Sequence, residues 1–336
     1  MSSVCIAVLI IIFCALIFDF INGFHDAANA IATIVVSKTL TPFQAVCMAG
    51  IANFLGFFIC GTAVAKMIGQ GVVQIDHITL SVILATLLGA IAWNITTWLW
   101  GLPTSSSHAL IGALIGAGMA SAGMKVVILK GVFKIFIFIF IAPLIGLIGA
   151  VFFTIIVIWC FRKTPPRKAG KIFRKLQLVS AMFYSMGHGT NDAQKTMGII
   201  AITLFTAGIN SSFYIERWVV FVCYVAIALG TICGGWRIVR TMGTRITKIR
   251  QMEGFCAETA SAIVLISTAH FGIPVSTTHV IAGAIMGVGT VEHAKNLRWG
   301  TARKIIWAWV ITIPASALFS GITYLLMRLL FGSKML

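Results

Sequence analysis

Charged residues are scarce in this sequence: Asp, Glu, Lys and Arg make up 10% of its 336 residues, whereas an ordinary soluble domain has about 25%. Acidic residues are scarcer still, with 8 Asp and Glu against 25 Lys and Arg. Polar stretches are short, and the longest covers residues 162–175. Because 59% of the chain is hydrophobic, no soluble core could hide its apolar surface, and lipid must be the solvent for most of it. The sequence predicts an all-α, polytopic membrane protein.

Motifs of catalysis and of metal binding are also missing. The sequence has no HExxH and no GxSxG, and its 8 cysteines form no CxxC pair, which argues against zinc or serine hydrolases and against a zinc framework. Two adjacent pairs, Ser107–His108 and Thr278–His279, make no triad by themselves, because a triad depends on geometry. We therefore expect no enzyme, no resident metal and no cofactor, and a membrane-embedded hydrolase is the alternative.

The net charge of +17 is compatible with nucleic-acid binding, but its distribution favours a membrane. Lys and Arg lie in short clusters between apolar runs, as the positive-inside rule describes for cytoplasmic loops. With both termini outside, 17 basic residues fall on inside loops and 7 on outside loops, while Lys195 stays within a span. We expect contact with the lipid bilayer and no nucleic-acid partner.

Two pairs of segments recur along the chain. The segment NGFHDAANAIAT at 22–33 matches HGTNDAQKTMGI at 188–199, so that Asp192 follows Asp26 by 166 positions. The segment GLPTSSSHALIGALIGAG at 101–118 matches GIPVSTTHVIAGAIMGVG at 272–289, so that Pro274 follows Pro103 by 171 positions. Two motif pairs in the same order at nearly the same offset indicate a duplication. Duplicated halves are typical of secondary transporters.

The duplication divides the chain into a first repeat at 1–161, a basic cytoplasmic loop at 162–175 and a second repeat at 176–336. Each repeat has four apolar parts in the same order. The first is interrupted by the Asp motif, the second is uninterrupted, the third is a pair of arms around the Pro-Ser/Thr motif, and the last is a closing span. The parts of the first repeat cover 4–36, 43–65, 80–120 and 132–161, and those of the second cover 176–207, 218–236, 255–291 and 305–330.

This arrangement predicts two inverted repeats, each with a broken helix and a Pro-Ser/Thr-tipped helical hairpin. Three crossings plus the paired arms give each repeat an odd number of crossings, so the repeats are related by an axis in the membrane plane. Each arm is about 20 residues and could also cross the bilayer completely. We favour re-entrant hairpins, because polar tips at membrane depth are tolerated when buried in protein or lining water.

Asp26 and Asp192 lie inside apolar segments, where an ionised carboxylate usually faces a cavity, an ion or a partner. A helix that breaks there exposes carbonyls and carboxylates that can coordinate a cation. The structural alternative is an ion pair, such as Asp192 with Lys195 at i,i+3. The glycines that would permit the break flank the two motifs: Gly23, Gly187 and Gly189.

Hydroxyl residues follow the proline of each tip: Ser105, Ser106 and Ser107 in the first, and Ser276, Thr277 and Thr278 in the second. Hydroxyls cap helix starts, and a helix N-terminus offers free N–H groups and partial positive charge, which suit an anion. Two tips that meet at a twofold axis would surround one tetrahedral oxyanion with donors. Plain helix capping is the alternative.

Other polar residues are candidates with weaker signals. Glu258 breaks the repeat symmetry, since the equivalent position is Leu87, and we interpret it as a coupling-ion or proton site. Asp19 lies seven residues before Asp26, on roughly the same helix face. Lys195 could neutralise Asp192 or attract an anion. The histidines that could exchange protons or simply pack are His25, His108 and His279, and the uncharged lining candidates are Asn29, Asn94, Asn191 and Gln194.

The segments GFHDAANAIAT and GTNDAQKTMG and the tips PTSSSH and PVSTTH together resemble the inorganic phosphate transporter (Pit) family over nearly the whole chain. His25 in GFHD is similar to the bacterial low-affinity branch, whereas Glu258 in GFCAE is similar to the sodium-coupled members. The coupling ion, H+ or Na+, is therefore left open. The resemblance implies a bacterial inner-membrane protein that imports phosphate by symport, either as free phosphate or as a complex with a divalent metal.

The resemblance also implies the residues of the site. Asp26, Asn29 and Asp192 would line the ion and phosphate site, and the tips at Ser105 to Ser107 and Ser276 to Thr278 would hold the anion. The coupling ion would use Asp26, Asn29, Asn191, Asp192 and Glu258. Transport would proceed by alternating access. A sulfate or arsenate carrier and a channel are the alternatives, and self-association into a homo-oligomer is left open.

Overall fold

The computed structural model describes residues 3–59, 61–293 and 297–332. Within these ranges the chain forms twelve α-helices, and its only β-type pairing is an isolated bridge between Val73 and Val127. The all-α prediction is confirmed. Cys60 and two basic residues counted for the topology, Lys295 and Lys334, lie outside the described residues.

The helices fall into two sets of six that follow the sequence repeat. The first set is α1 Ser3–Val36, α2 Pro42–Leu55, α3 Ala63–Gly71, α4 Leu80–Trp100, α5 Ser106–Ala122 and α6 Leu129–Phe161. The second set is α7 Pro166–Thr206, α8 Arg217–Cys233, α9 Trp236–Thr244, α10 Gln251–His270, α11 Thr277–His293 and α12 Trp299–Phe331. Most of the predicted 162–175 loop is helical, because Pro166 opens α7 at a position where proline suits a helix start.

The prediction that helices break at the two Asp motifs is wrong. Both α1 and α7 continue without interruption through Asp26 and Asp192. The sharp bends occur instead in the segments predicted to be uninterrupted, with 83° between α2 and α3 and 71° between α8 and α9. The motif glycines serve close packing: a Cβ atom on Gly23 would lie 2.2 Å from the Ile227 carbonyl oxygen, and one on Gly189 would lie 2.5 Å from that of Asn53.

Several helices are suited to a bilayer. In the described part of the chain, five helices are long and apolar enough to cross a membrane, and up to seven spans result if each bent pair counts as one. The helix α6 shows why, since it carries exposed Phe133, Phe136, Phe140 and Phe152 on one side. Such a surface is stable in lipid and would be costly in water. The chain is a multi-pass membrane protein.

Helices of each set pack against helices of the other set. The hairpin α4–α5 packs through α5 against α12, and the equivalent hairpin α10–α11 packs through α11 against α6. A Cβ atom on Gly283 of α11 would lie 2.1 Å from the Pro143 carbonyl oxygen of α6, and one on Gly112 of α5 would lie 2.5 Å from that of Ile313 in α12. Each hairpin is therefore held by the last helix of the other half. The pairs α1–α8 and α7–α2 repeat this exchange.

Candidate functional site

Polar side chains form a buried stripe along α1 and another along α7. Residues three or four positions apart share one face of a helix, and α1 and α7 pack against each other. All members of both stripes are buried. The α1 stripe is Asp19, Asn22, Asp26, Asn29 and Thr33 with Ser37 directly after the helix, and the α7 stripe is Gln177, Ser180, Tyr184, His188, Asp192 and Lys195.

The two hairpin tips place the N-termini of α5 and α11 beside these stripes. The Ser105 hydroxyl oxygen accepts a hydrogen bond from the His108 backbone N–H at 3.2 Å, and Ser276 accepts one from His279 at 3.2 Å. Both serines therefore cap their helices. Their predicted contact with phosphate stays a prediction. Capping fixes the first turn of each helix, which carries the other hydroxyls of the tips.

The tips meet at an ion pair on α7. The Lys195 ammonium donates hydrogen bonds to the Asp192 carboxylate and to the Ser107 hydroxyl, and it lies 3.3 Å from the Val275 carbonyl oxygen. The Thr277 hydroxyl donates to the other oxygen of Asp192 at 3.2 Å. One lysine and one aspartate thus join both tips.

A second junction involves α1. The Asn29 amide donates to the Thr278 hydroxyl at 2.8 Å, and that hydroxyl donates to the Thr104 carbonyl oxygen at 3.1 Å. The Ser106 hydroxyl is buried and has no hydrogen-bond partner in the described ranges. The structure therefore brings Asn29, Asp192 and hydroxyls of both tips together, and their contact with an ion or with phosphate stays a prediction.

Two histidines accompany the two aspartates. The Nδ1 atom of His25 lies 2.8 Å from Asp26 Oδ1 and its Nε2 atom lies 3.2 Å from the Thr97 hydroxyl. The Nε2 atom of His188 lies 3.3 Å from Asp192 Oδ2. One ligand atom each of Asp26, His188 and Asp192 lie within 4.8 Å of one another, a spacing that allows one cation to contact all three.

Glu258 lies apart from this centre. Its carboxylate accepts hydrogen bonds from the Ser180 hydroxyl at 2.5 Å and from the Gln177 amide at 3.2 Å. Gln177 in turn accepts from Ser37 at 2.8 Å and from Thr39 at 2.7 Å, at the end of α1. Glu258 thus belongs to a separate polar cluster at the far end of the two stripes. Its role as a coupling-ion site stays a prediction.

Several other candidates lie between helices, and the coupling-ion role of Asn191 stays a prediction. The Asn191 amide donates to the Gly187 and Leu265 carbonyl oxygens, which links α7 to α10. Gln194 accepts from the Val64 and Ala65 N–H groups and so holds the start of α3. The ring centroids of His108 and His279 are 4.8 Å apart, and His279 also stacks on Trp309 at 4.0 Å. The buried Asn94 amide has no partner within the described residues.

Sequence reasoning missed four residues of the site. Tyr184 and His188 continue the four-residue spacing of the α7 stripe, and that spacing could have identified them. The Thr97 hydroxyl lies 3.2 Å from the Nε2 atom of His25, and the Thr104 carbonyl oxygen accepts a hydrogen bond from the Thr278 hydroxyl. No local signal marks Thr97, because its position depends on how α4 lies against α1. Thr104 belongs to the first tip and makes its contact through its backbone carbonyl group, which its side-chain type does not indicate.

We expect removal of a capping hydroxyl and removal of a hydroxyl within the centre to have different effects. Ser276→Ala removes a cap and should lower the free energy of unfolding by about 1 kcal/mol with little change in the concentration of anion needed for half-maximal uptake. Thr278→Val removes the bond to Asn29 and to Thr104 within the centre and should raise that concentration clearly. Thermal unfolding and radiolabelled uptake measured side by side would check this, and equal effects on uptake would contradict it.

The sequence matches the family model described as "Phosphate transporter family" over residues 22–320. It is 52% identical to a probable low-affinity inorganic phosphate transporter of Rhizobium meliloti, over 92% of this chain and 93% of the relative. It is 44% identical to a protein of the same description in Bacillus subtilis, over 98% and 100% of the two chains. Among solved structures, "The sodium-dependent phosphate transporter" has the same fold, with a TM-score of 0.86 and 22% identity over 96% of this chain and 99% of the other.

Proposed function

This chain belongs to the phosphate transporter family, and from that premise we propose that it imports inorganic phosphate by symport with H+ or Na+. Its relatives are named as transporters and not as enzymes. We place it in a bacterial inner membrane with both termini outside, because that orientation puts 17 basic residues on the inner loops and 7 on the outer loops.

The observation that carries the proposal is the meeting of the two helix N-termini at Lys195. Each N-terminus has partial positive charge and free N–H groups, and Lys195 adds a full positive charge. The hydroxyls of Ser107, Thr277 and Thr278 supply further donors and are all buried. This set of donors suits a tetrahedral oxyanion. Sulfate has no proton to donate near neutral pH, whereas hydrogen phosphate has one, so the Asp192 carboxylate favours phosphate.

The coupling cation belongs beside the two aspartates. A doubly charged anion next to Asp26 and Asp192 would be repelled, so we expect its binding to depend on cations. The cluster of Asp26, His188 and Asp192, with ligand atoms within 4.8 Å, is the place where a cation would offset that repulsion. A relative with the same fold is named sodium-dependent, and we keep both Na+ and H+ as coupling ions. Glu258 is a second, separate position for one.

The same cluster favours a second form of the substrate. Two carboxylates and an imidazole are ligands for a divalent metal, and the Asp26–His188–Asp192 spacing allows all three to bind one ion. A divalent metal and hydrogen phosphate together form a neutral complex, which would remove the repulsion without a separate cation. Uptake that requires a divalent metal and carries it in equal amount would favour this form.

The exchange of helices between the halves suggests how the site opens. We propose that the two halves have inverted topology and that the unit holding one hairpin rocks against the unit holding the other. The hydrogen bond from Thr278 to the Thr104 carbonyl and the bridge from Lys195 to Ser107 and Val275 join the tips across this division. These contacts between the tips would break when the site opens to one side of the membrane.

The function is tested by radiolabelled phosphate uptake into proteoliposomes with an imposed proton or sodium gradient. We expect the wild-type protein to concentrate phosphate under at least one gradient, and Asp26→Asn to lose that accumulation because it removes a carboxylate that would neutralise the cation. The neutral Asn keeps the shape of the side chain, so folding should persist.

Two controls make the outcome decisive. Asp76→Asn applies the same change to an exposed acid and should leave uptake unaffected. Excess unlabelled sulfate should not compete, whereas arsenate, which is nearly isosteric with phosphate, should. Folded protein that shows no phosphate flux with either gradient or with a divalent metal present would contradict the proposal, and flux that never exceeds equilibrium would indicate a channel.

A further inference from the structure

Besides Asp26, Asp192 and Glu258, one more carboxyl group of the two stripes lies deep in the protein and makes none of the contacts described above. Asp19 lies on the α1 stripe seven residues before Asp26, which corresponds to about 10 Å along a helix, and its exposed fraction is 0%. Within the described part of the chain, neither of its carboxylate oxygens accepts a hydrogen bond. Asp26 and Asp192, by contrast, each have close partners. Asp19 is thus a buried acid whose polar neighbours Asn22, Thr196 and Cys223 lie close to the carboxyl without a hydrogen bond of ordinary geometry.

The surroundings of Asp19 are nearly neutral. The polar side chains next to the carboxyl are Asn22 of α1, Thr196 of α7 and Cys223 of α8. The charged groups that act on it are Asp192 and Lys195 of α7, which form an ion pair with each other. The helix α4 also packs against α1 and has no ionisable side chain in its sequence.

A charged carboxylate in such a place is costly unless a cation joins it. A sodium ion needs several oxygen ligands, and in membrane proteins unwound backbone often supplies them. Around Asp19 the backbone is continuous helix in α1, α7 and α8, so its carbonyl groups are already used in helical hydrogen bonds. The oxygen ligands left for a sodium ion beside the carboxyl are the side-chain oxygens of Asn22 and Thr196. A proton needs no ligand other than the carboxyl group itself.

We propose that Asp19 is a proton-binding site of this protein, which takes up one proton from the outer side with phosphate and releases it on the inner side. The inference rests on the proposed phosphate symport and adds the ion and the residue. It places carboxyl groups at three levels along the α1–α7 stripes. Asp19 lies at the level nearest the N-terminus of α1, Asp26 and Asp192 at the centre, and Glu258 beside the Gln177 cluster at the far end. A proton gradient would act through Asp19.

The test uses Asp19→Asn in the full-length chain, reconstituted into proteoliposomes. Two fluxes are measured on the same vesicles: phosphate accumulation driven by an imposed pH gradient, and exchange of internal for external phosphate without a gradient. We expect accumulation to fall about 10-fold or more, since a coupling between ligands is commonly of that size. Exchange should persist, because the neutral Asn copies the protonated acid. The exposed Asp76→Asn is the matched control and should change neither flux.

The outcomes separate this inference from the function on which it rests. Driven accumulation that survives in Asp19→Asn would overturn the role of Asp19 and leave phosphate transport intact. Wild-type accumulation that follows only a sodium gradient would do the same. Wild-type protein that neither exchanges nor accumulates phosphate would overturn the proposed function itself, and the inference with it.

A second variant covers the case in which Asp19→Asn does not fold. Asp19→Glu keeps a carboxyl group but moves it by one methylene, so its proton affinity should change. We expect the external pH for half-maximal uptake to shift in this variant while driven accumulation persists. A folded Asp19→Glu protein with the wild-type pH profile would overturn the proposal. Phosphate-induced proton uptake by purified protein, followed with a pH dye, should be smaller in Asp19→Asn than in wild type.

Discussion

Replacing Lys195 by Met should abolish phosphate uptake and lower the stability of the protein strongly. Lys195 is 1% exposed, and its ammonium bonds to Asp192, to Ser107 and to the Val275 carbonyl. Met has a similar length without the charge, so Asp192 would be left as a buried carboxylate without its counter-ion. Breaking a buried pair in this way typically costs about 3–5 kcal/mol. The two hairpin tips would also lose their common donor.

Thermal unfolding of the purified protein and uptake in proteoliposomes would measure the two effects. Lys171→Met makes the same change at an exposed position of the same helix and should be close to neutral. Adding Asp192→Asn to Lys195→Met removes the unpaired charge and should restore part of the stability without restoring uptake. A Lys195→Met protein as stable as wild type would show that Asp192 does not depend on this lysine.

Replacing Gly116 by Ala should have a large effect through a single methyl group. A Cβ atom at this position of α5 would lie 2.1 Å from the Ala317 carbonyl oxygen and 2.5 Å from its Cα atom, both backbone atoms of α12. Because backbone cannot rotate away as a side chain does, α5 and α12 would have to separate. Overpacking typically costs about 1–3 kcal/mol and sometimes more. The tip that carries Ser107 would move with α5, so uptake should fall as well.

Gly170→Ala is the matched control, since a Cβ atom there meets nothing within 4 Å. Alanine is the better helix former by about 1 kcal/mol, so this variant should be as stable as wild type or slightly more stable. The midpoint of thermal unfolding should therefore fall in Gly116→Ala and stay level or rise slightly in Gly170→Ala. If Gly116→Ala unfolds at the wild-type temperature, then α5 and α12 are not in close contact.

The sequence was sufficient to predict the hydroxyl tips and the buried aspartates, but not that α1 and α7 continue unbroken through those aspartates. The repeat matched Asp26 with Asp192 and one hydroxyl tip with the other, and the structure brings both tips to the ion pair of Lys195 with Asp192. Apolar length predicted the long helices, and the polar tips between them predicted where each hairpin turns. These features could be predicted because they depend on local composition and spacing, which a single sequence contains.

Other features depend on contacts between helices and could not be predicted. Gly23 and Gly189 were interpreted as helix breakers, yet a glycine that bends a helix and one that admits a neighbouring backbone look alike in a sequence. Lys195 had two alternative roles, and the structure combines them by placing it between Asp192 and Ser107. The i,i+3 spacing indicated the first contact, but nothing local indicated the second.

The exchange of partners between the halves has a consequence for biosynthesis. A chain enters the membrane from its N-terminus, so the hairpin α4–α5 is made long before α12, the helix against which α5 packs. The first hairpin therefore lacks the contacts of Gly112 and Gly116 with α12 until the ribosome has nearly finished. A premature stop codon before α12 would remove no tip residue, yet it would leave the first tip without the helix that holds it.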